Sequence, residues 1–306
     1  MVPCPCCKKH IPDSMDTRMT NPKVAVLSGK GGTGKTLLAV NLAEVAGRSL
    51  YLDCDVEEPN GHLFFRPAEL ETQAIQVKIP QIDADLCDGC KICVDFCKFN
   101  ALAFAGSKWI LFEEICHSCG GCTLVCPQHA LSERDKTIGQ VQNGISEQVC
   151  VYSGFLNPGE ASGIPIIKKL LAETRTADTA VIIDCPPGSA CIVMESIKDA
   201  DYCLLVAEPT IFGAHNLQMV HELVTLFHKP CGVVLNKCQA GDNPSERYCV
   251  EHDLPIVGRI DFDPVLGRLN SDGKIAARVS GTYNQRFSVI WQTILEETQL
   301  ETAINS

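Results

Sequence analysis

The sequence predicts an α/β chain in which a mostly parallel sheet, covered by helices on both faces, is interrupted by a small inserted α+β unit. Three observations carry that reading. A short apolar run at residues 24–27 meets a glycine-rich turn, then a helical pattern at Leu38, Leu42 and Val45 closed by Gly47. A second run at residues 180–183 is apolar without alternation, as a strand covered on both faces should be. Between them, two cysteine-rich copies of one unit replace the αβ rhythm.

Composition narrows the class. The chain has 306 residues, 45% hydrophobic and 21% charged, enough for one large α/β domain plus an insert. Net charge is −11 with no long Lys/Arg run, which argues against a nucleic-acid partner, since such binding needs a basic face. No apolar run approaches the roughly 18 residues of a membrane span, and Glu296-Glu297-Thr298-Gln299-Leu300-Glu301 is acidic rather than basic and amphipathic. No membrane partner and a cytoplasmic location are expected. Nineteen cysteines would suit a disulfide scaffold, but the chain is long, shows no signal peptide, and clusters its cysteines at ligand spacing.

In chain order, residues 1–20 read as a Cys-rich tail. There Cys4, Cys6, Cys7 and His10 would make half a zinc knuckle, or else belong to a mobile tail or to sequence preceding a start at Met19. Residues 21–78 hold the first part of the main domain. Gly29, Gly34, Lys35 and Thr36 fit G-x-x-x-x-G-K-[ST], with Lys30, Gly31, Gly32 and Thr33 between the outer glycines and Lys35. Such a turn converges backbone N–H groups on phosphate oxygens at a helix N-terminus. Lys35 is expected on the β- and γ-phosphates of ATP and Thr36 on Mg²⁺. A strand at residues 49–52 then runs into Asp53 and Asp55, at the carboxyl edge where α/β sheets bind ligands.

Residues 79–135 form the insert. Cys87, Cys90, Cys93 and Cys97 recur 29 positions later as Cys116, Cys119, Cys122 and Cys126, and Ala101-Leu102 as Ala130-Leu131. Each copy reads C-x₂-C-x₂-C-x₃-C, the run of bacterial two-cluster ferredoxins, whose fourth cysteine serves the other cluster. Two [4Fe–4S] clusters are therefore expected, one on Cys87, Cys90, Cys93 and Cys126, the other on Cys116, Cys119, Cys122 and Cys97. The second copy carries the usual proline, Pro127, whereas the first has Lys98. Zinc, the structural alternative, leaves the triple spacing and the duplication unexplained.

Residues 136–306 complete the main domain. Gly139–Gly144 suggests a short hairpin, Pro165 opens a helix to Leu171, and residues 180–183 end in Asp184 with Gly188 four residues on. That pattern predicts Mg²⁺ held through water by Asp184 and a γ-phosphate sensor at Gly188. Strands are expected at 202–207, 231–235 and 256–260, with helices at 215–228 and from the Asn243 cap through Pro244 to Val250.

Lys30-Gly31-Gly32-Thr33-Gly34-Lys35-Thr36 resembles the deviant Walker A loop of the MinD/ParA/nitrogenase-iron-protein ATPases, a superfamily that includes Mrp-type ATPases. The resemblance extends from Lys23 to the C-terminus and points to members carrying an inserted two-cluster ferredoxin, some of them in the orange-protein complex. It implies a P-loop NTPase fold and a nucleotide-sandwich dimer in which Lys30 reaches the partner's phosphates. It also implies Asp55 orienting the attacking water, Asp53 beside the Mg²⁺ shell, and Asn236, Lys237 and Glu208 on the adenine side. Cys191 lies where the nitrogenase iron protein has a cluster ligand, but a second ligand is missing, since Cys150 falls outside the matching place; the remaining cysteines read as buried hydrophobes or ordinary thiols. The implied function is an ATPase whose nucleotide state gates electron transfer or metal-cluster assembly, working as a homodimer or a heterodimer with a paralogous ATPase and serving a redox or metal-cluster protein. An iron–sulfur carrier and a MinD-like positioning ATPase with sensory clusters are the alternatives.

Overall fold

The computed structural model describes residues 21–304 apart from residue 107, so Cys4, Cys6, Cys7 and His10 lie outside the described residues. A nine-stranded sheet forms the frame, in the order β11-β10-β9-β1-β8-β2-β7-β6-β3. Its first seven members are parallel: β1 (Lys23–Leu27), β2 (Ser49–Asp53), β7 (Val149–Leu156), β8 (Ala180–Asp184), β9 (Tyr202–Ala207), β10 (Cys231–Cys238) and β11 (Ile256–Asp261). Every residue of β2, β8 and β9 is buried, which explains their unbroken apolar runs.

One helical layer packs α1 (Lys35–Val45), α10 (Ala276–Val279) and α11 (Gly281–Ile304) onto the sheet; the opposite face carries α5 (Ile164–Ala172), α6 (Cys191–Ile197), α7 (Ile211–Leu226) and α8 (Pro244–Glu251). Local chemistry fixes several helix starts. Thr210 Oγ1 accepts from Gly213 N at 2.9 Å to cap α7, and Asn243 Oδ1 accepts from Glu246 N at 3.1 Å ahead of Pro244. Asp263 does the same for α9 (Pro264–Ser271).

The remaining strands, β3 (Glu71–Ile82) and β6 (Leu131–Ser146), form a long antiparallel ribbon at one sheet edge, with β6 also pairing antiparallel to β7. The hairpin expected at Gly139–Gly144 is therefore corrected: those residues lie inside β6, and the chain reverses at Glu147 and Gln148. Gly139 marks close packing, because a Cβ there would lie inside the shell of the Phe155 carbonyl oxygen and 2.7 Å from Ile166 Cδ1. Both strands run through the expected limits of the insert.

At the ribbon's far end sit α3 (Ile92–Phe96), β4 (Leu102–Ala105), β5 (Lys108–Leu111) and α4 (Gly121–Leu124), over a small core of Cys93, Leu102 and Leu131. α2 (Gly61–Phe65) follows β2 in the main domain. The two cysteine copies share one backbone path. Positive φ recurs at Gly89 and Ser118, at Lys91 and Gly120, and at Asn100 and His129, each pair 29 residues apart. Ala101, Leu102, Ala130 and Leu131 are all buried.

Candidate functional site

Parallel registration brings the ends of β1, β2, β8, β9, β10 and β11 to one edge, and a cavity of about 650 Å³ opens there. Lys30, Gly31, Gly32, Gly34, Lys35 and Thr36 line it together with Asp55, Asn236 and Lys237. Gly34 takes φ 100° immediately before α1, and a Cβ would collide with the Asn236 amide, so only glycine fits. Gly29 packs on α7, where a Cβ would lie 2.7 Å from Asn216 Cβ. Gly188 N donates to Ser28 O at 2.9 Å, tying the loop after β8 to the glycine-rich turn.

Lys35 is the electrostatic centre. Its Nζ donates to Asp184 Oδ1 at 2.6 Å and lies 3.8 Å from Asp55 Oδ2. Burial alone would lower its pKa, but Asp184, helped by Asp55 and Asp53, outweighs burial and raises it. Tyr51 OH donates to the other Asp184 oxygen at 2.9 Å. Asp53 stands opposite Asp184 in the β2–β8 register and accepts from Gly61 N at 2.7 Å and Asn60 N at 3.0 Å. Burial and the neighbouring Asp184 charge raise the pKa of Asp53; burial, opposed by Lys35, pushes Asp55 up to about 6. Thr36 and Asp55 line the cavity, whereas Asp53 and Asp184 are buried, and the charge of Asp184 beside Asp53 and Asp55 is repulsion that a divalent cation would relieve.

Lys30 points back along its own chain. Its Nζ lies 2.7 Å from Glu208 Oε2 and 5.8 Å from the Phe212 ring centroid. Lys237 Nζ donates to Glu208 Oε1 at 2.6 Å and to Gly32 O at 2.7 Å, while Asn236 Nδ2 donates to Thr33 O at 2.6 Å. The three residues expected on the adenine side contact the glycine-rich turn and its Lys30 instead.

In the insert, one cavity is lined by Cys87, Cys90, Cys93 and Cys126, beside Pro127. Another is lined by Cys97, Cys116, Cys119 and Cys122, beside Phe96 and Phe99. No group of three or more His, Cys, Asp or Glu side chains among the described residues converges to hold a single metal ion. Cys191 is exposed at the start of α6 and Cys150 is buried in β7. No helix among the described residues is long and apolar enough to cross a membrane.

Residues 24–276 match the CobQ/CobB/MinD/ParA nucleotide binding domain. The chain belongs to this family. It is also similar to two uncharacterised proteins of Methanocaldococcus jannaschii. One is 30% identical over 79% of this chain and 85% of its own length, the other 28% identical over 72% and 81%. Among solved structures, the Pyrococcus furiosus cell division ATPase MinD superposes with a TM-score of 0.57 at 16% identity, covering 90% of this chain and 99% of its own. The Pyrococcus horikoshii septum site-determining protein MinD, complexed with Mg-ADP, gives 0.56 at 17% identity, covering 89% and 95%. Those two likenesses concern the fold.

As a CobQ/CobB/MinD/ParA domain, this chain has site residues that motif reading missed. Tyr51 looks like an ordinary strand aromatic, and only the register of β2 against β8 brings its hydroxyl to Asp184. Arg66, at φ 46°, donates to Asp272 O at 3.2 Å across the cavity wall, to which Phe262, Asp263 and Asn270 also contribute. The Asp263-Pro264 helix start was the one available signal for that wall.

Proposed function

We propose that this chain is an ATPase whose nucleotide state gates electron transfer, or metal-cluster assembly, through two [4Fe–4S] clusters held in the insert. The observation that carries the reading is the continuity of β3 and β6. These strands leave the nucleotide-binding sheet and end beside two cysteine-lined cavities. Each cavity draws three cysteines from one copy and the fourth from the other, which is the crossed pattern of two-cluster ferredoxins. In such a cluster each thiolate binds a different iron, so the four sulfurs need not converge on one point. A buried polar group fits too: Trp109 packs against this same cysteine-bearing core with its indole N–H directed at the Cys93 thiol, a donor that a cluster-bound sulfur would accept. The clusters would supply low-potential electrons.

On the nucleotide side, the phosphate loop and Lys35 bind the β- and γ-phosphates, and Lys30 serves the phosphates of a second protomer, identical or paralogous. Thr36, Asp53 and Asp184 would hold Mg²⁺, which would neutralise phosphate charge. Asp55, half-buried and 3.8 Å from Lys35, orients the attacking water. The electron or cluster acceptor is a redox or metal-cluster protein. The test is to purify the chain anaerobically, measure iron and sulfide, and titrate the cluster potentials with ADP and with a slowly hydrolysed ATP analogue. The expected result is iron and sulfide present with potentials that differ between nucleotides; zinc without iron would overturn the reading, and identical potentials would overturn the gating of electron transfer.

A further inference from the structure

Glu208, the first residue after β9, holds both lysines beside the phosphate loop, Lys30 at 2.7 Å and Lys237 at 2.6 Å. Its side chain is only 12% exposed, against 34% and 43% for the two lysines. The backbone beneath it is anchored. Its carbonyl accepts from the fully buried Ser245 hydroxyl at 2.6 Å and from Thr210 N at 2.8 Å. Gly213 packs on the same carbonyl so closely that a Cβ would collide with it. The carboxylate therefore stands on a fixed shelf, and the longer, more exposed lysines are the members free to move.

A lysine held this way by its own subunit cannot at the same time reach the phosphates of another. We propose that Glu208 is a positioning residue that retains Lys30 on its own subunit in the nucleotide-free chain, so that ATP-driven pairing must break the Lys30–Glu208 contact. This rests on the reading of Lys30 as the lysine that serves a second protomer. Lys237 makes the hold releasable, because it keeps the half-buried carboxylate paired after Lys30 departs. Removing the only partner of such a charge would cost far more. The Phe212 ring gives Lys30 a second, weaker attachment on its own chain.

The test compares wild type with Glu208→Gln by acylating surface amines in the nucleotide-free protein and mapping modification by mass spectrometry, with exposed Lys168 as internal standard. Lys30 should acylate faster in the variant while Lys168 does not change. High salt should likewise speed Lys30 acylation in the wild type, by screening the pair. Unchanged Lys30 reactivity in both experiments overturns the proposal. A second arm measures dimerisation by sedimentation at a saturating ATP analogue. The variant should dimerise at roughly tenfold lower protein concentration, as loss of one charged, partly exposed hydrogen bond implies. A weaker dimer than wild type would overturn the proposal. If Lys30 reactivity rises in Glu208→Gln yet Lys30→Ala still dimerises, the retention stands and the reading of Lys30 as a trans lysine fails.

Discussion

Lys35 is bonded to buried Asp184 and also lines the cavity, where the proposed function has it bind nucleotide phosphates. Lys35→Met should therefore do more than abolish nucleotide binding. It leaves Asp184 buried with only the Tyr51 hydroxyl, and breaking a buried pair in this way costs about 3–5 kcal/mol. Urea unfolding of the nucleotide-free variant should show that loss; a midpoint equal to the wild type's would mean the pair is not formed in solution. Glu208 gives a pH-dependent counterpart. Burial tends to raise its pKa, but hydrogen bonds from Lys237 and Lys30 outweigh burial and lower it from 4.5. A carboxylate depressed in the folded state adds stability that is complete above the unfolded pKa and lost as pH falls through the folded one. Glu208→Gln should thus lower the melting temperature at neutral pH, and the gap should close well below pH 4.5. A gap that persists at acid pH would show that the two lysines contribute little to it.

Among the elements, the β3–β6 ribbon is the informative case. Glu71–Ile82 mixes exposed polar residues with only three buried positions, and the run carries Pro80. It lacks the continuous apolar signature of β2 or β8 because one side faces solvent at a sheet edge. β6 was legible only as a turn, since glycine speaks for turns as readily as for close packing. That distinction is testable. Gly139→Ala should force β6 away from Phe155 and Ile166 and destabilise the fold by about 1–3 kcal/mol, read by denaturant unfolding. A turn glycine facing solvent would tolerate alanine far better. Caps behaved differently: Asn243 before Pro244 announces α8 within four residues, because capping is local chemistry.

For the whole molecule, the question is whether the duplicated insert works as one crossed unit. Cys97 belongs to the first sequence copy but lines the cavity of Cys116, Cys119 and Cys122. If that cavity holds a cluster, Cys97→Ala should remove the second cluster and spare the first, taking anaerobic iron from about eight to about four per chain. Loss of the first cluster instead would show that the copies ligate separately. The ribbon gives any such cluster a mechanical route to the nucleotide edge, since β6 pairs with β7, β7 with β2, and β2 ends in Asp53.

The sequence by itself determined whatever is written in short spacing: the Gly29–Thr36 loop, the two C-x₂-C-x₂-C-x₃-C runs, the buried strands, and the helix starts at Pro165 and Asn243. Each of these depends on neighbours a few residues away, so local order encodes it. Tertiary structure alone decided that Tyr51 meets Asp184, that β3 and β6 form one ribbon, and that Glu208 is the carboxylate paired with Lys30. Those pairings join residues distant along the chain, and no local periodicity or propensity records which carboxylate a lysine will find once the strands have chosen their order.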